Sequence, residues 1–591
     1  MNPIRLAPLF LVVLAGLVPA PARADEATAV AELHALFADA WELDLENNPL
    51  YASYLGDSRY NDRWPDLRLE ELERQYLEDG EVLVRLSEIS FSDLPEAEKL
   101  NYELFKREYQ ERLESFKYMT YLQPLNQRGG VQTANEVSQA LTFDSLEDYA
   151  DWIARLASLG LYVDQTIELL RQGISRGMTH PRVIMERVPA QIESQLVGTA
   201  EDSPFFEPFR NFPDSIGEQD RERLSELGAR TIREVVVPAY QRLYTFFTDT
   251  YLPACRETVG AWDLPAGREF YEFRARSYTT TALTPDEIHE IGVAEVQRIR
   301  EEMLAVIEEV GFSGSFDEFL QFLRTDSQFY FDNPDDLLQA YRATSKRIDP
   351  ELVRLFGRLP RMPYGVKPIP AASAPDTTTA YYSRPAADGS RAGFYYVNLY
   401  RPEVRPKYEI EVLTVHEAMP GHHLQIALAQ ELGDLPNFRR YSGFTAFVEG
   451  WALYSESLGP ELGLYQDPYS RFGQLTYDMW RAVRLVVDTG IHFRGWSRDQ
   501  AIDFFRSNAA KTEHDIINEI DRYIAWPGQA LAYKIGQLKI LELRERSELR
   551  LGEHFDIKAF HDTVLGSGAV PLDVLESNVG KWIMDTRAAT Q

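Results

Sequence analysis

Apolar residues recur at helical spacing through most of the first 356 residues of the chain. The clearest run begins after Thr284 and has apolar residues at steps of three, four and their sums, at Ile288, Val296, Ile299, Met303, Val306 and Val310. The residues Thr284 to Glu287 provide an N-cap, a first-turn proline and a capping-box acid, and Gly311 ends the run. Similar periodicity in residues 146–172 and 221–251 predicts that helices dominate this half.

The pattern changes in residues 359–406, where eight prolines prevent long helices. Within this segment the apolar run at residues 393–399 is typical of a strand. Helix signals return at Lys407 and continue nearly to the C-terminus, with an interruption at Trp526-Pro527-Gly528. We therefore predict a mainly α-helical protein with one small sheet. We expect residues 25–591 to form one continuous body with three regions, at residues 25–358, 359–406 and 407–591.

Composition and charge narrow the classes of function. With 591 residues, of which 44% are hydrophobic, the chain has ample apolar material for a folded core. Its 61 basic and 92 acidic residues give a formal net charge of -31. Such a surface repels phosphate backbones, so we expect no nucleic-acid partner.

The first 24 residues have the composition of a secretory signal peptide. Arg5 precedes an apolar run, and Ala22-Arg23-Ala24 fits a cleavage site, which predicts cleavage after Ala24 and a periplasmic or secreted protein. The apolar run is shorter than the roughly 20 residues that span a bilayer, so we expect no stable membrane insertion, although an uncleaved N-terminal anchor is the alternative. The only cysteine, Cys255, lies far from the cleavage site, which excludes lipid attachment there and any intramolecular disulfide.

Three histidines and a glutamate fall within the eight positions from His416 to His423. Neutral imidazole is the commonest metal ligand in proteins. In zinc peptidases with the motif His-Glu-x-x-His, one helical turn brings two histidines to the metal, and the glutamate activates the bound water. Here the position four after His416 is Pro420, so the second histidine is displaced to His422 or His423.

The Pro420-Gly421 pair decides whether the displaced histidine can reach the same metal. In an unbroken helix His423 would lie about 10 Å from His416 along the axis, too far for metal bonds of about 2 Å. Proline disrupts a helix, and glycine adopts angles closed to other residues. We therefore expect a local bulge at residues 419–421 that folds the second histidine back. The alternative is that one helix ends there and another begins, with the histidines hydrogen-bonded at the surface.

A carboxylate is the expected third ligand. Residues 444–456 have helical propensity and place Glu449 among apolar residues, where an unpaired carboxylate is unfavourable. A metal ion would pair with it. Glu456 lies seven residues further on the same face and could accept a hydrogen bond from a ligand histidine, or it could be a solvated acid.

Four motifs carry a family resemblance: His416-Glu417-Ala418-x-Pro420-Gly421-His422-His423-Leu424-Gln425, Glu449-Gly450-Trp451-Ala452-Leu453-Tyr454, Asp488-Thr489-Gly490-Ile491-His492-x-x-Gly495-Trp496 and Trp526-Pro527-Gly528-Gln529-Ala530-Leu531-Ala532-Tyr533. With these motifs, nearly the whole mature chain resembles the bacterial family of domain of unknown function 885. That family is similar to the glutamate-type zincins, which include angiotensin-converting enzyme, thimet oligopeptidase and Taq-type carboxypeptidase.

The resemblance implies a large, two-lobed helical body with a deep cleft and one zinc ion per chain. It implies His416 and Glu449 as zinc ligands and Glu417 as the general base. The second histidine stays open, because Gly421-His422 matches the Gly-His often seen at the end of the motif, whereas His423-x-Gln425 matches the His-x-Gln of the converting enzyme.

Further candidates could act on the substrate. Tyr533 or His492 could donate a hydrogen bond to the oxyanion, as a tyrosine or histidine does in the relatives, or they could be a core aromatic and a helix cap. Arg481 and Arg484 lie one helical turn apart and could bind a substrate carboxylate, or they could form internal salt bridges. The strand at residues 393–399 could pair with an extended peptide, or it could be a core strand.

The leading hypothesis is an exported zinc metallohydrolase, most simply a peptidase acting on short peptides. Zinc would lower the pKa of its bound water, and Glu417 would take the proton and pass it to the leaving amine. One alternative is the same metal centre acting on a non-peptide amide or ester. The other is a non-catalytic peptide-binding protein with a degenerate metal site.

Overall fold

The computed structural model describes residues 22–371, 374, 378–386, 389, 391–433, 435–441, 443–509 and 511–590. The first helix, α1, spans Ala22–Asn47. The predicted signal peptide at residues 1–24 therefore lies outside the described residues except for its last three positions, which begin α1. Its cleavage stays a prediction.

α-Helices make up most of the described chain before the proline-rich segment. After α1 they are α2 Pro49–Leu55, α3 Leu69–Glu88, α4 Glu96–Phe116, α5 Leu146–Arg176, α6 Arg182–Met185, α7 Val188–Glu193, α8 Glu218–Thr231, α9 Val237–Phe246, α10 Leu252–Ala254, α11 Gly267–Thr279, α12 Pro285–Glu309, α13 Phe316–Thr325, α14 Pro334–Ile348 and α15 Leu352–Leu355. The capping box predicted at Thr284 starts α12, where Thr284 Oγ1 accepts a hydrogen bond from the Glu287 amide at 3.3 Å.

Helices also dominate the chain after the proline-rich segment. They are α16 Ile410–Glu417, α17 His422–Gln430, α18 Asn437–Tyr441, α19 Thr445–Ser457, α20 Pro468–His492, α21 Arg498–Asn508, α22 Glu513–Ala525, α23 Ala532–Leu551, α24 Ile557–Leu565 and α25 Leu572–Thr590. The predicted mainly α class is confirmed. Among the described helices, none combines the length and the apolar character needed to cross a bilayer.

The proline-rich segment forms one three-stranded sheet. Its strands are β1 Tyr364–Pro368, β2 Ala380–Ser383 and β3 Gly393–Val397, in the order β1-β3-β2. β3 pairs parallel with β1 and antiparallel with β2. Both edges of β3 are thus occupied, and its Tyr395 and Val397 are fully buried. The predicted strand is therefore a core strand, and the idea that it pairs with a peptide is wrong.

Two hydrophobic cores hold the helices together. One contains Phe37 of α1 together with Trp451 of α19 and Leu575 of α25. The other contains Trp152 of α5 together with Met479 of α20. Each core takes residues from both sides of the proline-rich segment, so the two parts of the chain depend on each other for burial.

The helices α19 and α23 cross with their backbones in direct contact. A Cβ atom added to Gly450 would lie 2.5 Å from the Cα of Gly536, and one added to Gly536 would lie 1.9 Å from the carbonyl oxygen of Ala446. Only glycine fits at these two positions, because any larger residue would push the helices apart. This crossing fixes the helix that carries Glu449.

Candidate metal centre

The helix of His416 ends completely, and a second helix begins after four intervening residues. α16 ends at Glu417 and α17 begins at His422. Ala418 has φ -107° and ψ -109°, and the Gly421 amide donates a hydrogen bond to the Val415 carbonyl at 2.9 Å. A Cβ atom on Gly421 would lie 1.9 Å from the His416 carbonyl oxygen, so the turn requires glycine. The chain therefore turns sharply where we predicted a bulge within one helix.

The turn is anchored to the helix that carries the expected third ligand. The indole Nε1 of Trp451, in α19, donates a hydrogen bond of 2.8 Å to the carbonyl oxygen of Pro420. Trp451 is fully buried. Because Glu449 lies two residues before Trp451, this bond sets its position relative to both histidines.

The turn brings His416, His422 and Glu449 together. The Oε2 atom of Glu449 lies 3.7 Å from Nε2 of His416 and 3.6 Å from Nε2 of His422. Among the described residues these three form the one group of His, Cys, Asp and Glu whose ligand atoms could share a metal ion, all within 4.8 Å.

The spacing of these atoms suits a metal ion better than direct hydrogen bonds. Nitrogen–oxygen distances of 3.6 and 3.7 Å exceed the range of a hydrogen bond. Zinc bonds of about 2.0 to 2.2 Å in a tetrahedron separate the ligand atoms by about 3.4 Å. Two imidazoles and a carboxylate are also a donor set that zinc accepts, with a fourth position left for water or substrate. The residues therefore fit a zinc ion.

A second carboxylate binds Nδ1 of His416, the ring nitrogen that faces away from Glu449. The Nδ1 atom of His416 donates a hydrogen bond to Oε1 of Glu456 at 2.8 Å. Glu456 is fully buried, which rules out the alternative of a solvated acid. With the proton fixed on Nδ1, the lone pair of Nε2 faces His422 and Glu449, as a metal ligand requires.

The electrostatics of the cluster favour one positive charge at its centre. Burial would raise the pKa of Glu449, but His416 and His422 lower it to about 2. Burial would lower the pKa of His416, but Glu449 and Glu456 raise it to about 9. Burial lowers the pKa of His422, which therefore stays neutral. A proton on His416 or a metal ion can supply the positive charge.

Glu417 lies beside the cluster without joining it. It is the last residue of α16 and is partly exposed, in contrast to the buried His416 before it. Its charge acts to raise the pKa of both His416 and His422. A partly exposed carboxylate that follows a histidine of the cluster in sequence is a candidate general base.

The structure groups His422, and not His423, with the other two residues. Nδ1 of His423 accepts a hydrogen bond from the Tyr382 hydroxyl at 2.8 Å, and its Nε2 donates to the Met362 carbonyl at 3.0 Å. Burial lowers the pKa of His423 to about 4, which keeps it neutral. Neighbouring residues in a helix point about 100° apart, so only one of the two can face Glu449. His423 ties α17 to the sheet.

His492 does not face a substrate. Its Nε2 donates to the Tyr523 carbonyl at 2.9 Å, and its Nδ1 accepts from the Ala261 amide at 3.0 Å. The side chain is fully buried at the end of α20. The structure thus corresponds to the alternative of a helix-end residue, because neither ring nitrogen is available to stabilise an oxyanion.

Arg481 and Arg484 are buried in internal contacts, with 5% and 3% of their surface exposed. Arg481 lies 3.6 Å from Oε1 of Glu456. Arg484 donates to Glu519 at 3.2 Å and to the Tyr523 hydroxyl at 2.9 Å. Direct capture of a substrate carboxylate by these two side chains is therefore not what the structure favours. Arg481 instead faces Glu456, the partner of His416, and Arg484 faces Glu519.

Tyr533 is the candidate that stays partly exposed. It lies in α23, with its ring centre 4.3 Å from the guanidinium carbon of Arg484. Its hydroxyl accepts a hydrogen bond from Arg522 at 3.5 Å. A tyrosine hydroxyl polarised by a neighbouring guanidinium is a suitable hydrogen-bond donor to a developing anion.

The helix α22 carries contacts that the sequence reasoning missed. Glu519, Arg522 and Tyr523 all point towards Arg484 and Tyr533. The spacing of Glu519 and Tyr523, one helical turn apart in an amphipathic helix, was the available signal. This spacing does not indicate which other helix Glu519 and Tyr523 contact.

Comparisons with known proteins agree with this fold. A family model described as "Bacterial protein of unknown function (DUF885)" matches residues 49–579. A crystal structure of a "putative lipoprotein" from Colwellia psychrerythraea is 30% identical, with a TM-score of 0.88, and the alignment covers 94% of this chain and 100% of that chain. A second structure, of a "putative lipoprotein of unknown function" from Shewanella oneidensis, is 17% identical with a TM-score of 0.72 over 93% and 99% of the chains, and shows the fold alone. Among curated proteins, none matches.

Proposed function

The chain belongs to the bacterial DUF885 family, and we propose that it is an exported zinc-dependent hydrolase, specifically a metallopeptidase that cleaves short peptides. The observation that carries the proposal is the grouping of His416, His422 and Glu449 within 4.8 Å. Two further residues support the proposal: the buried Glu456, which is hydrogen-bonded to His416, and the partly exposed Glu417, which follows His416 in sequence.

The resemblance to glutamate-type zincins supports the peptidase assignment. In those enzymes two histidines and a later glutamate hold zinc, and a glutamate that follows the first histidine is the general base. The corresponding residues here are His416, His422 and Glu449, with Glu417 as the base. On this proposal the chain is a carboxypeptidase, dipeptidase or oligopeptidase with its substrate in a deep cleft between two lobes.

The chemistry would be divided among the residues of the site. Zinc, when bound, supplies a Lewis acid that lowers the pKa of water and polarises the scissile carbonyl. Glu417 takes the proton from the attacking water and delivers it to the leaving amine. Tyr533 donates a hydrogen bond to the carbonyl oxygen as negative charge develops there. Glu456 holds His416 in the required tautomer.

The proposed location is the periplasm or the exterior of a bacterial cell. Each of the two structural relatives is described as a "putative lipoprotein", a class of exported protein, and the first 24 residues here have the composition of a cleavable signal peptide. Lipid attachment at the predicted cleavage site would need a cysteine there, and the one cysteine of this chain is Cys255.

A peptide-library assay tests the proposed activity. The mature protein, loaded with zinc and freed of excess metal, is incubated with a library of unblocked short peptides, and the products are identified by mass spectrometry. The proposal expects cleavage that stops when zinc is chelated and returns when zinc is restored. Zinc-dependent turnover of amides or esters without peptide cleavage would favour the non-peptide alternative, and stoichiometric peptide binding without zinc would favour a binding protein.

A further inference from the structure

Four arginine side chains contact α22 or the loop that follows it, although the chain as a whole has a formal net charge of -31. They are Arg128, Arg274, Arg484 and Arg522. Among the described residues, the one carboxylate within ion-pair distance of any of them is Glu519, which lies 3.2 Å from Arg484 and 3.1 Å from Arg522. This region therefore carries an excess of positive charge on an acidic protein.

Arg128 is the arginine of this group that is free to bind a ligand. Its guanidinium makes no hydrogen bond or ion pair with any described residue, and its guanidinium carbon lies 5.1 Å from the centre of the exposed Trp526 ring. By contrast, Arg484 is buried, and Arg274 donates to the Pro527 carbonyl at 3.4 Å. A guanidinium that packs over an aromatic ring keeps its N–H donors available to an anion.

A short turn with well-defined contacts presents Arg128. The Asn126 amide donates to the Gly129 carbonyl at 3.0 Å and the Gly129 amide donates back at 3.2 Å, so Gln127 and Arg128 form the tip. The side chain of Gln127 donates to the Asp521 carbonyl of α22 at 3.0 Å. The position of Arg128 beside α22 is thus fixed by contacts that do not use its own charge.

Arg522 provides a second guanidinium in the same region. It precedes Trp526 by four residues, about one helical turn, and its side chain is partly exposed. It donates to the side-chain oxygen of Gln529 and, at 3.5 Å, to the Tyr533 hydroxyl. Burial and the charge of Arg522 lower the pKa of Arg128, as two neighbouring like charges should. An anion between the two guanidinium groups would offset their repulsion.

Tyr533 links these arginines to the candidate metal centre through the crossing of α19 and α23. Tyr533 lies three residues before Gly536 in α23, and Glu449 directly precedes Gly450 in α19. A Cβ atom added to Gly450 would lie 2.5 Å from the Cα of Gly536, so the two backbones touch at this point. Arg522, which contacts the Tyr533 hydroxyl, therefore lies on the side of α23 that adjoins the helix of Glu449.

We propose that Arg128 and Arg522 bind a carboxylate of a short peptide, so that the substrate class is peptides with a carboxylate close to the scissile bond. The substrate part of this inference rests on the proposed function. A carboxylate has two oxygens and accepts hydrogen bonds from two guanidinium groups at once. The C-terminal carboxylate and the side chain of aspartate or glutamate offer the same chemistry.

Peptide binding without turnover tests the site. Trialanine and its C-terminal amide are titrated calorimetrically into the full mature chain, with a chelator present to prevent metal-dependent cleavage. A second pair, acetyl-Ala-Glu-Ala-amide and acetyl-Ala-Gln-Ala-amide, carries the carboxylate on a side chain instead. We expect the wild type to bind the carboxylate member of one pair about tenfold more tightly than the neutral member.

Substitutions of Arg128 show whether this preference comes from the proposed site. Arg128→Ala and Arg128→Gln should both remove it, whereas Arg128→Lys should keep part of it, because lysine retains the charge but not the two-pronged geometry. The matched control is Arg171→Ala, which removes an exposed arginine whose guanidinium carbon also lies 5.1 Å from an aromatic ring, that of Phe246. The control should bind as the wild type does. Thermal unfolding shows whether each variant is folded.

The two peptide pairs identify the source of the carboxylate. A preference in the first pair indicates the C-terminus, and a preference in the second indicates an acidic side chain. A wild type without a preference in either pair would overturn the proposal. So would a folded Arg128→Ala or Arg128→Gln variant that keeps the wild-type preference.

Cleavage rates separate this inference from the proposed function. If the zinc-loaded wild type cleaves peptides, Arg128→Ala should raise KM about tenfold for the carboxylate peptide and leave KM for its neutral partner unchanged. A wild type that cleaves no peptide would refute the metallopeptidase function. The binding titration would still decide whether Arg128 belongs to a carboxylate site.

Discussion

The Nδ1 atom of His416 donates a hydrogen bond of 2.8 Å to a carboxylate, Glu456, that has no exposed surface. The second oxygen of that carboxylate, Oε2, is also buried and has no hydrogen-bond partner. A fully buried carboxylate is unfavourable unless it is paired, and here its close partner is a residue whose other nitrogen faces Glu449. The pair therefore couples the stability of α19 to the charge at the candidate metal centre.

Removing the charge of Glu456 is expected to weaken zinc binding. In Glu456→Gln the histidine keeps a hydrogen-bond acceptor but loses the negative charge that makes its Nε2 a better donor to metal. We expect an affinity about 10-fold lower, at the small end of the effects of such supporting residues. Isothermal titration with zinc measures it, and Glu461→Gln, which removes a surface partner of Arg544, is the control. Equal affinities for both variants would contradict the role of Glu456.

The two neighbouring histidines should respond differently to substitution. His422→Ala should lose stoichiometric zinc, as should His416→Ala and Glu449→Ala, because each removes one of the three proposed ligands. His423→Ala should keep zinc but lose about 1 to 3 kcal/mol of stability, because Tyr382 and Met362 lose their partner. Plasma mass spectrometry gives zinc per chain, and urea unfolding gives stability. Zinc retained in His422→Ala and lost in His423→Ala would reverse the assignment.

Glu417→Gln separates metal binding from catalysis. The amide has nearly the same shape as the carboxylate but cannot accept a proton, so zinc content should stay at the wild-type level while peptide turnover falls by about 100-fold or more. Zinc content and the rate of peptide cleavage are measured on the same sample. Turnover that survives the substitution would exclude Glu417 as the general base.

Gly421→Ala should disrupt the turn between α16 and α17. The added methyl group would lie 1.9 Å from the His416 carbonyl oxygen, so the backbone has to move and His422 moves with it. We expect a loss of stability of about 1 to 3 kcal/mol together with loss of zinc. Gly198→Ala, where nothing lies within 4 Å of the added group, is the control for the loss of a glycine. An unchanged zinc content in Gly421→Ala would show that the turn is not needed to form the site.

The buried Asp488 predicts a pH dependence of stability. Its Oδ1 accepts hydrogen bonds from the Tyr271 hydroxyl at 2.6 Å and the Gly528 amide at 3.0 Å, yet burial raises its pKa to about 7. Between about pH 4 and 7 the folded protein thus holds a proton that the unfolded chain has released. Stability should therefore fall as the pH rises through this window.

Asp488→Asn isolates this contribution, because an amide oxygen can accept the same two hydrogen bonds but cannot ionise. Urea unfolding at about pH 5 and about pH 8 should show that wild-type stability falls relative to the variant, by up to about 4 kcal/mol. A constant difference between the two proteins across this range would mean that Asp488 is ionised throughout.

Local patterns predicted the features of the fold that depend on neighbouring residues. The capping box at Thr284 and the strand that begins at Gly393 both follow from short stretches of sequence. The strands β1 and β2 were not predicted, because β1 contains glycine and proline and β2 has only four residues. Their strand character comes from pairing with β3.

The candidate site was predicted in its residue types but not in its choice of histidine. The apolar residues around Glu449 indicated a carboxylate that needs a partner. The separation of seven residues between Glu449 and Glu456 indicated that Glu456 lies on the same helix face. The choice of His422 depends on a turn fixed by Trp451, which is 31 residues away from its partner Pro420 in sequence. The contacts of α22 with Arg484 likewise join residues that are far apart in sequence, and residue periodicity does not specify such contacts.

The direct contact of Gly450 with Gly536 also bears on the order in which the protein matures. Synthesis proceeds from the N-terminus, so His416, His422 and Glu449 leave the ribosome well before α23 exists. Until α23 has been made, α19 lacks the surface on which it packs. The side chains of His416, His422 and Glu449 then lack a fixed spacing. If the proposed zinc site exists, we therefore expect it to bind zinc only after α23 has been made and has packed against α19.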